Sequence, residues 1–178
     1  MRRVMKVLRH VLTDRRFPAP RFSRWRNDPR VLVEESDGAI RESVVNLLED
    51  AGFEAVGCGG PGENHGARCP LSGTTGCSAA ADADVIFFSF RLADPENQQI
   101  LRMLKRQHPN TPIVVEVPKP KVMTYQELLV GTHPVYTPLT RRTITRAVLN
   151  AWAAATPSRA SPSESRGHKE MVARRVRP

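Results

Sequence analysis

Three cysteines and a histidine stand within one glycine-rich stretch, GCGGPGENHGARCPLSGTTGCSAAADA. Cys58, Cys69 and Cys77 are all the cysteines of the chain, and His65 lies among them. Three soft thiolates and one imidazole match, in number and type, the ligands of a tetrahedral zinc site. A bound metal would also order such a loop, because its binding free energy stands in for a hydrophobic core. The spacings are ten residues between Cys58 and Cys69 and seven between Cys69 and Cys77, without a C-x2-C knuckle. A second reading of the same residues is a redox-active thiol pair with one cysteine left free. A third is three reduced cysteines, with Cys58 half-buried at a strand end and the others in a loop. The remaining histidines, His10, His108, His133 and His168, are scattered and carry no assigned chemistry.

A second constellation is the acidic pair Glu34–Glu35, directly after an apolar run. Two adjacent carboxylates without a third oxygen ligand make a weak magnesium site. The alternative is a solvated acidic rim at a strand end. No glycine-rich phosphate loop follows, since ESDG stands there, and no Ser-His-Asp arrangement can be placed. No enzymatic activity is expected, and no cofactor beyond a possible zinc ion.

These residues need elements to position them. Val31-Leu32-Val33 reads as a short buried strand. Asp37 is suited to N-cap a helix whose inward face carries Ile40, Val44, Leu47 and Leu48, because its carboxylate can accept from an orphan N–H of the first turn. Gly52 closes that helix in the left-handed conformation. Phe53 to Gly57 is a second strand. Asp84 to Phe90 is a third, apolar on both faces as in the middle of a parallel sheet. Pro95 to Gln107 is a helix with Ile100, Leu101 and Leu104 inward, ended by His108-Pro109. Pro112 to Val117 and Pro134 to Tyr136 are further strands, with a weak helix over Val122 to Val130 between them. Thr140 to Ala154 is a final helix that turns Ile144, Ala147, Val148 and Trp152 inward. Strands alternating with helices mean an α/β fold with a parallel sheet. The interval between the second and third strands holds seven of the eleven glycines, each costing a helix about 1 kcal/mol relative to alanine. A long Gly/Cys-rich loop is expected there.

The chain has 178 residues and a formal charge of +9. The excess lies at its ends. Residues 1–30 carry ten Arg/Lys against Asp14 and Asp28, a net +8. Residues 153–178 carry six against Glu164 and Glu170, a net +4, and the middle, 31–152, carries 11 against 14, a net −3. The expected organisation is a basic arm over 1–30, one domain over 31–154, and a disordered Ser/Pro/Arg-rich tail over 155–178. Val4, Met5, Val7, Leu8, Val11 and Leu12 suit a short amphipathic helix in the arm. Lys6, Arg9 and His10 interrupt it, so it lacks the apolar core of a secretory signal. An Arg-rich, acid-poor start also fits a transit peptide or a start codon set too far upstream. Phe17, Phe22 and Trp25 interleave with arginines and could stack on bases. Nucleic-acid binding through the arms is therefore one reading of the partner, though neither arm has a helix-turn-helix pattern or zinc-finger spacing. No run of about 18 apolar residues exists, so no membrane-spanning helix is expected.

The central residues resemble a response-regulator receiver domain of the CheY-like, flavodoxin-like type. VLVEESDGAIRESVVNLLEDAGFEAV is similar to its first strand, acidic pair and first helix, and DVIFFSFRLAD to its third strand and following loop. ILRMLKRQHPNTPIVVEV resembles the third helix and fourth strand, and VYTPLTRRTITRAV the fifth strand, proline and last helix. The resemblance runs from about Val31 to Trp152. It implies a five-stranded parallel sheet with the second helix replaced by the Gly/Cys-rich loop, and ligands at the carboxyl ends of the strands. It places Ser89 where receivers carry the phosphoacceptor aspartate, Val117 at their hydroxyl residue, Thr137 at their lysine and Pro134 at their switch aromatic. Glu34 and Glu35 stand for the metal-binding acids. A receiver's carboxylate attacks the phosphorus of its donor, and a serine without an activating base is a far weaker nucleophile. The resemblance thus implies a degenerate pocket of Glu34, Glu35, Ser89, Val117 and Thr137 that does not take up phosphate. It also implies a bacterial, cytoplasmic signalling module that acts through protein–protein contacts. The expected partner surface, for another protein or a second copy, is the last helix and fifth strand. Tyr125, Leu128, Leu129 and Val130 lie near it, with Arg141, Arg142 and Arg146. The competing readings are a zinc or thiol sensor built on Cys58, His65, Cys69 and Cys77, and nucleic-acid binding.

Overall fold

The computed structural model describes residues 28–61, 69–72 and 76–156. His65, the apolar and aromatic residues of the N-terminal arm, and the tail from Pro157 lie outside these described residues, so the expectations placed on them are not addressed by it.

Five strands form one parallel sheet in the order β2-β1-β3-β4-β5. They are β1 (Arg30–Glu34), β2 (Glu54–Cys58), β3 (Val85–Phe88), β4 (Ile113–Pro118) and β5 (His133–Thr137). Side chains alternate across a strand, so a sheet covered on both faces needs apolar residues at every position. The burial follows that rule. Leu32, Ile86, Phe88 and Val115 face one core, with residues of α2 (Ser78–Asp82), α3 (Pro95–Gln107) and α4 (Gln126–Leu129). Val31, Val33, Phe87, Val114 and Val135 face the other, with α1 (Gly38–Glu49) and α5 (Arg141–Ala155).

Caps set the helix starts. The Asp37 carboxylate accepts from the N–H groups of Ala39 and Ile40 at 2.9 and 3.0 Å. Gly52, at φ 90°, ends α1 in the left-handed region, and the Phe53 N–H then reaches back to the Leu48 carbonyl at 3.1 Å. Asp94 caps α3 by accepting from the Glu96 N–H, with Pro95 in the first turn. Thr140 and Thr143 cap α5 reciprocally, each side chain bonding the other's backbone N–H.

Several expectations are corrected. Ile40 does not turn inward: it is 52% exposed and lines an open groove with Leu139 and Ile144. Val44 and Leu48 carry the packing of that helix. A one-turn helix, α2, survives after the glycines end, because Ala79 and Ala80 bury their methyl groups against the sheet. The weak helix over Val122 to Val130 shrinks to Gln126–Leu129, preceded by a 3-10 turn at Lys119–Lys121. Lys105 holds the far end of α4 by donating to the carbonyls of Leu128 at 3.0 Å and Val130 at 2.6 Å. Among the described residues, no helix is long and apolar enough to cross a membrane.

Candidate functional site at the carboxyl end of the sheet

The carboxyl ends of β1, β3 and β4 bring together Glu35, Ser89 and Glu116. The Ser89 N–H donates to the Glu34 carbonyl at 2.8 Å, continuing the β1–β3 ladder one residue beyond β3. The hydroxyl of Ser89 donates to Oε2 of Glu116. Ser89 is buried and Glu116 half-buried. Burial pushes the Glu116 carboxyl up from its ordinary value; the Ser89 bond opposes this, and the nearby Glu35 charge adds to it. Glu35 in turn accepts from the Asp37 N–H at 2.8 Å and the Ser36 hydroxyl at 3.3 Å. Arg41 closes the rim by donating from Nη1 to the Glu35 carbonyl at 2.7 Å. Its stem lies against Gly57, where an added Cβ would stand 2.8 Å from Cγ and Cδ of Arg41.

The acidic pair is divided. Glu34 shares its face of the sheet with its register partner Cys58, on the side of α2. It is almost fully buried, and burial raises its carboxyl to about 8, so it is mostly protonated at neutral pH. A neutral carboxylic acid is a poor ligand for a hard cation. Glu35 points to the other face, beside Glu116. Adjacent residues of an extended chain point to opposite faces, and that separates the two carboxyls.

Val117 is fully buried in the core beneath α2, α3 and α4, with Phe88 and Val115. It faces away from Ser89, and the polar residue that β4 brings to Ser89 is Glu116, one position earlier. The sequence reading missed Glu116, although it is the one charged residue in the otherwise apolar run Pro112 to Val117 and was open to question on that ground. Thr137 ends β5 half-buried, in register with Pro118 and followed by a cis peptide to Pro138.

The cysteines lie on one side of the sheet. Cys77 is buried in the core under α2, and Cys58 and Cys69 pack against the same core. None of the three is in a disulfide. Burial, with the Glu34 charge next, pushes the Cys58 thiol up to about 12; burial raises that of Cys77 as well. Among the described residues, no group of three or more His, Cys, Asp or Glu is placed to hold a metal ion. His65 lies outside them.

The expected contact face is partly core. Leu128 and Leu129 are buried and Tyr125 is half-buried, whereas Val130 is 70% and Met123 74% exposed. Tyr136, on β5, and Arg141, Arg142 and Arg146, on α5, are exposed.

No family model matches the chain. No curated protein matches it in sequence either. Solved structures do match in fold. A response regulator receiver domain protein from Clostridium thermocellum aligns with 71% of this chain and 95% of its own, at 17% identity and a TM-score of 0.52. The receiver domain of the Francisella response regulator 1452 aligns with 72% of this chain and 100% of its own, at 19% identity and a TM-score of 0.55. NtrX from Brucella abortus aligns over 72% of this chain but 27% of its own length, at 18% identity and a TM-score of 0.56. With the strand order and both helical layers in agreement, the chain has the fold of a response-regulator receiver domain.

Proposed function

We propose that the chain is a receiver-like signalling module that works through protein contacts rather than through aspartyl phosphorylation. The observation that supports this most is the Ser89–Glu116 pair. Position 89 offers no carboxylate to attack phosphorus, and the hydroxyl there donates its hydrogen bond to the Glu116 carboxyl. Glu35 and Glu116 add negative charge beside it, which repels a phosphoryl donor unless a cation intervenes. Glu34, protonated near neutral pH, is poorly suited to recruit one.

Contact with a partner is assigned to the edge where β5, α4 and α5 meet. Val130, directly after α4, and Tyr136, on β5, expose apolar surface, and the arginines of α5 are exposed. An apolar centre with a basic rim suits an acidic protein surface.

The test is incubation with acetyl phosphate and magnesium, read by intact mass. The expected spectrum is unchanged. A phosphoryl adduct that hydroxylamine removes marks an acyl phosphate and would overturn the reading.

A further inference from the structure

Among the described residues, the groove between α1 and α5 lies open to solvent. Ile40, Val44 and Leu47 form its α1 wall, and Leu139 and Ile144 its α5 wall. Val44 and Ile144 belong to the core, whereas Leu47 and Leu139 are half-buried and Ile40 is exposed. The floor is therefore packed and the lip is apolar surface in water, which a covering apolar side chain would remove favourably. The groove measures about 340 Å³, near the lower end for a small-molecule pocket, and does not enclose its contents. It suits a row of side chains better than a ligand.

The chain carries such a row. Val4, Met5, Val7, Leu8, Val11 and Leu12 precede the described residues. At about 100° per residue, a helix would gather all six within an arc of about 160° and set Arg2, Arg3, Lys6, Arg9 and His10 opposite. From Val4 to Leu12 such a helix would run about 12 Å, the same length as the α1 wall from Ala39 to Leu47. We propose that residues Val4–Leu12 of the chain's own basic arm dock in the α1–α5 groove and cover Ile40.

Reach and charge both allow this occupant. The arm joins the domain at Asp28, just before β1, and the stretch from Leu12 to Asp28 can span about 50 Å. α1 itself is about 18 Å long, so the tether does not limit docking. Tethering also raises the local concentration of the arm, so a small apolar contact suffices where a separate partner would need a larger one. Among the described residues, Arg141 is the only charged one lining the groove, and it pairs with Asp50 at 3.5 Å. The basic side of the docked arm would face solvent, over a domain whose residues 31–152 carry a net −3. The contact adds to the surface and leaves both cores as they are. Val130 and Tyr136 do not line the groove, so the proposed partner edge stays accessible.

The test uses the full chain with the photo-crosslinker p-benzoylphenylalanine in place of Leu8, irradiated, digested with trypsin and read by mass spectrometry. The expected product is a crosslink within one chain to peptides 31–41, 42–68 or 122–141, which carry Ile40, Val44 with Leu47, and Leu139. Its yield should fall about tenfold in Ile40→Asp, which places a charge where an apolar contact is expected. Should Ile40→Asp disturb folding by circular dichroism, Val11→Asp tests the same contact from the arm and should lower the yield similarly. A crosslink joining two copies, one confined to other peptides, or a yield that neither substitution changes would each overturn the proposal. So would sedimentation with phosphatidylglycerol vesicles that Val11→Asp abolishes, together with no groove crosslink in their absence, since the arm would then serve a lipid surface.

Discussion

Glu34 shows how one side chain can be correct in sequence and altered in role. Its folded value of about 8 lies above the ordinary carboxylate value near 4.5. Between those two values the folded chain keeps a proton that the unfolded chain has released. Raising the pH across this window therefore destabilises the fold, and above about pH 8 the loss is complete. Glu34→Gln cannot ionise, so its urea midpoint should fall less than that of the native chain between about pH 5 and 8. Glu116 and His108 titrate in both chains, so the difference isolates Glu34. Parallel curves for the two chains would show that Glu34 is not held neutral. Ser89→Ala removes the donor from Glu116, and a loss of about 1 kcal/mol in denaturant is expected, typical of one hydrogen bond. An unchanged midpoint would mean that the pair contributes nothing to stability. Glu34, Glu35 and Ser89 were legible as residues near strand ends. Glu116 was not singled out, because aligned apolar runs do not say which of two neighbouring residues faces a pocket.

At the scale of elements, the signals that held were local ones. Asp37, Gly52, Pro95 and Thr140 punctuate helices through their own backbone chemistry, and each stands where the chain needed it. Asp37→Ala leaves two first-turn N–H groups without their acceptor and should cost about 1 kcal/mol in a denaturant titration. Asp37→Asn, which keeps an acceptor oxygen, should cost far less; equal losses would show that the cap is not the cause. The elements that departed from expectation depend on distant packing. The methyl groups of Ala79 and Ala80 have a sheet to pack on only once β1 and β3 are in place, so α2 carries too few residues to announce itself. The end of α4 relies on Lys105, more than twenty residues earlier in the chain, to bind its carbonyls.

Across the whole molecule, every buried apolar side chain among the described residues lies between Val31 and Ala151. Arg30 also ties the start of β1 to Asp84, donating from its backbone N–H at 2.8 Å and its guanidinium at 3.2 Å. A fragment spanning residues 28–156 should therefore fold in one cooperative transition, with a thermal midpoint close to that of the full chain. A broad or much earlier transition would show that the basic ends contribute to the core. The proposed contact edge has its own signature at this scale. Val130→Asp changes an exposed side chain, so the thermal midpoint should stay within a few degrees while partner or self-association weakens at least tenfold. Association unchanged by that substitution would move the contact elsewhere.

The alternation of apolar runs with amphipathic helices by itself determined the parallel α/β architecture, because burial on both faces of a sheet imposes its pattern on the strands. The same residues determined that position 89 carries a hydroxyl and no carboxylate. Tertiary structure alone decided which side each polar residue serves. Strand alternation sent Glu34 toward the thiols and Glu35 toward Ser89, and cross-strand register brought Glu116 rather than Val117 to the serine. It also decided that Cys58, Cys69 and Cys77 lie against one core, since their spacing in the chain says nothing of what each packs on. Contacts between residues far apart in sequence exist only after the sheet has formed, and those contacts set the burial, the protonation and the chemistry of the site.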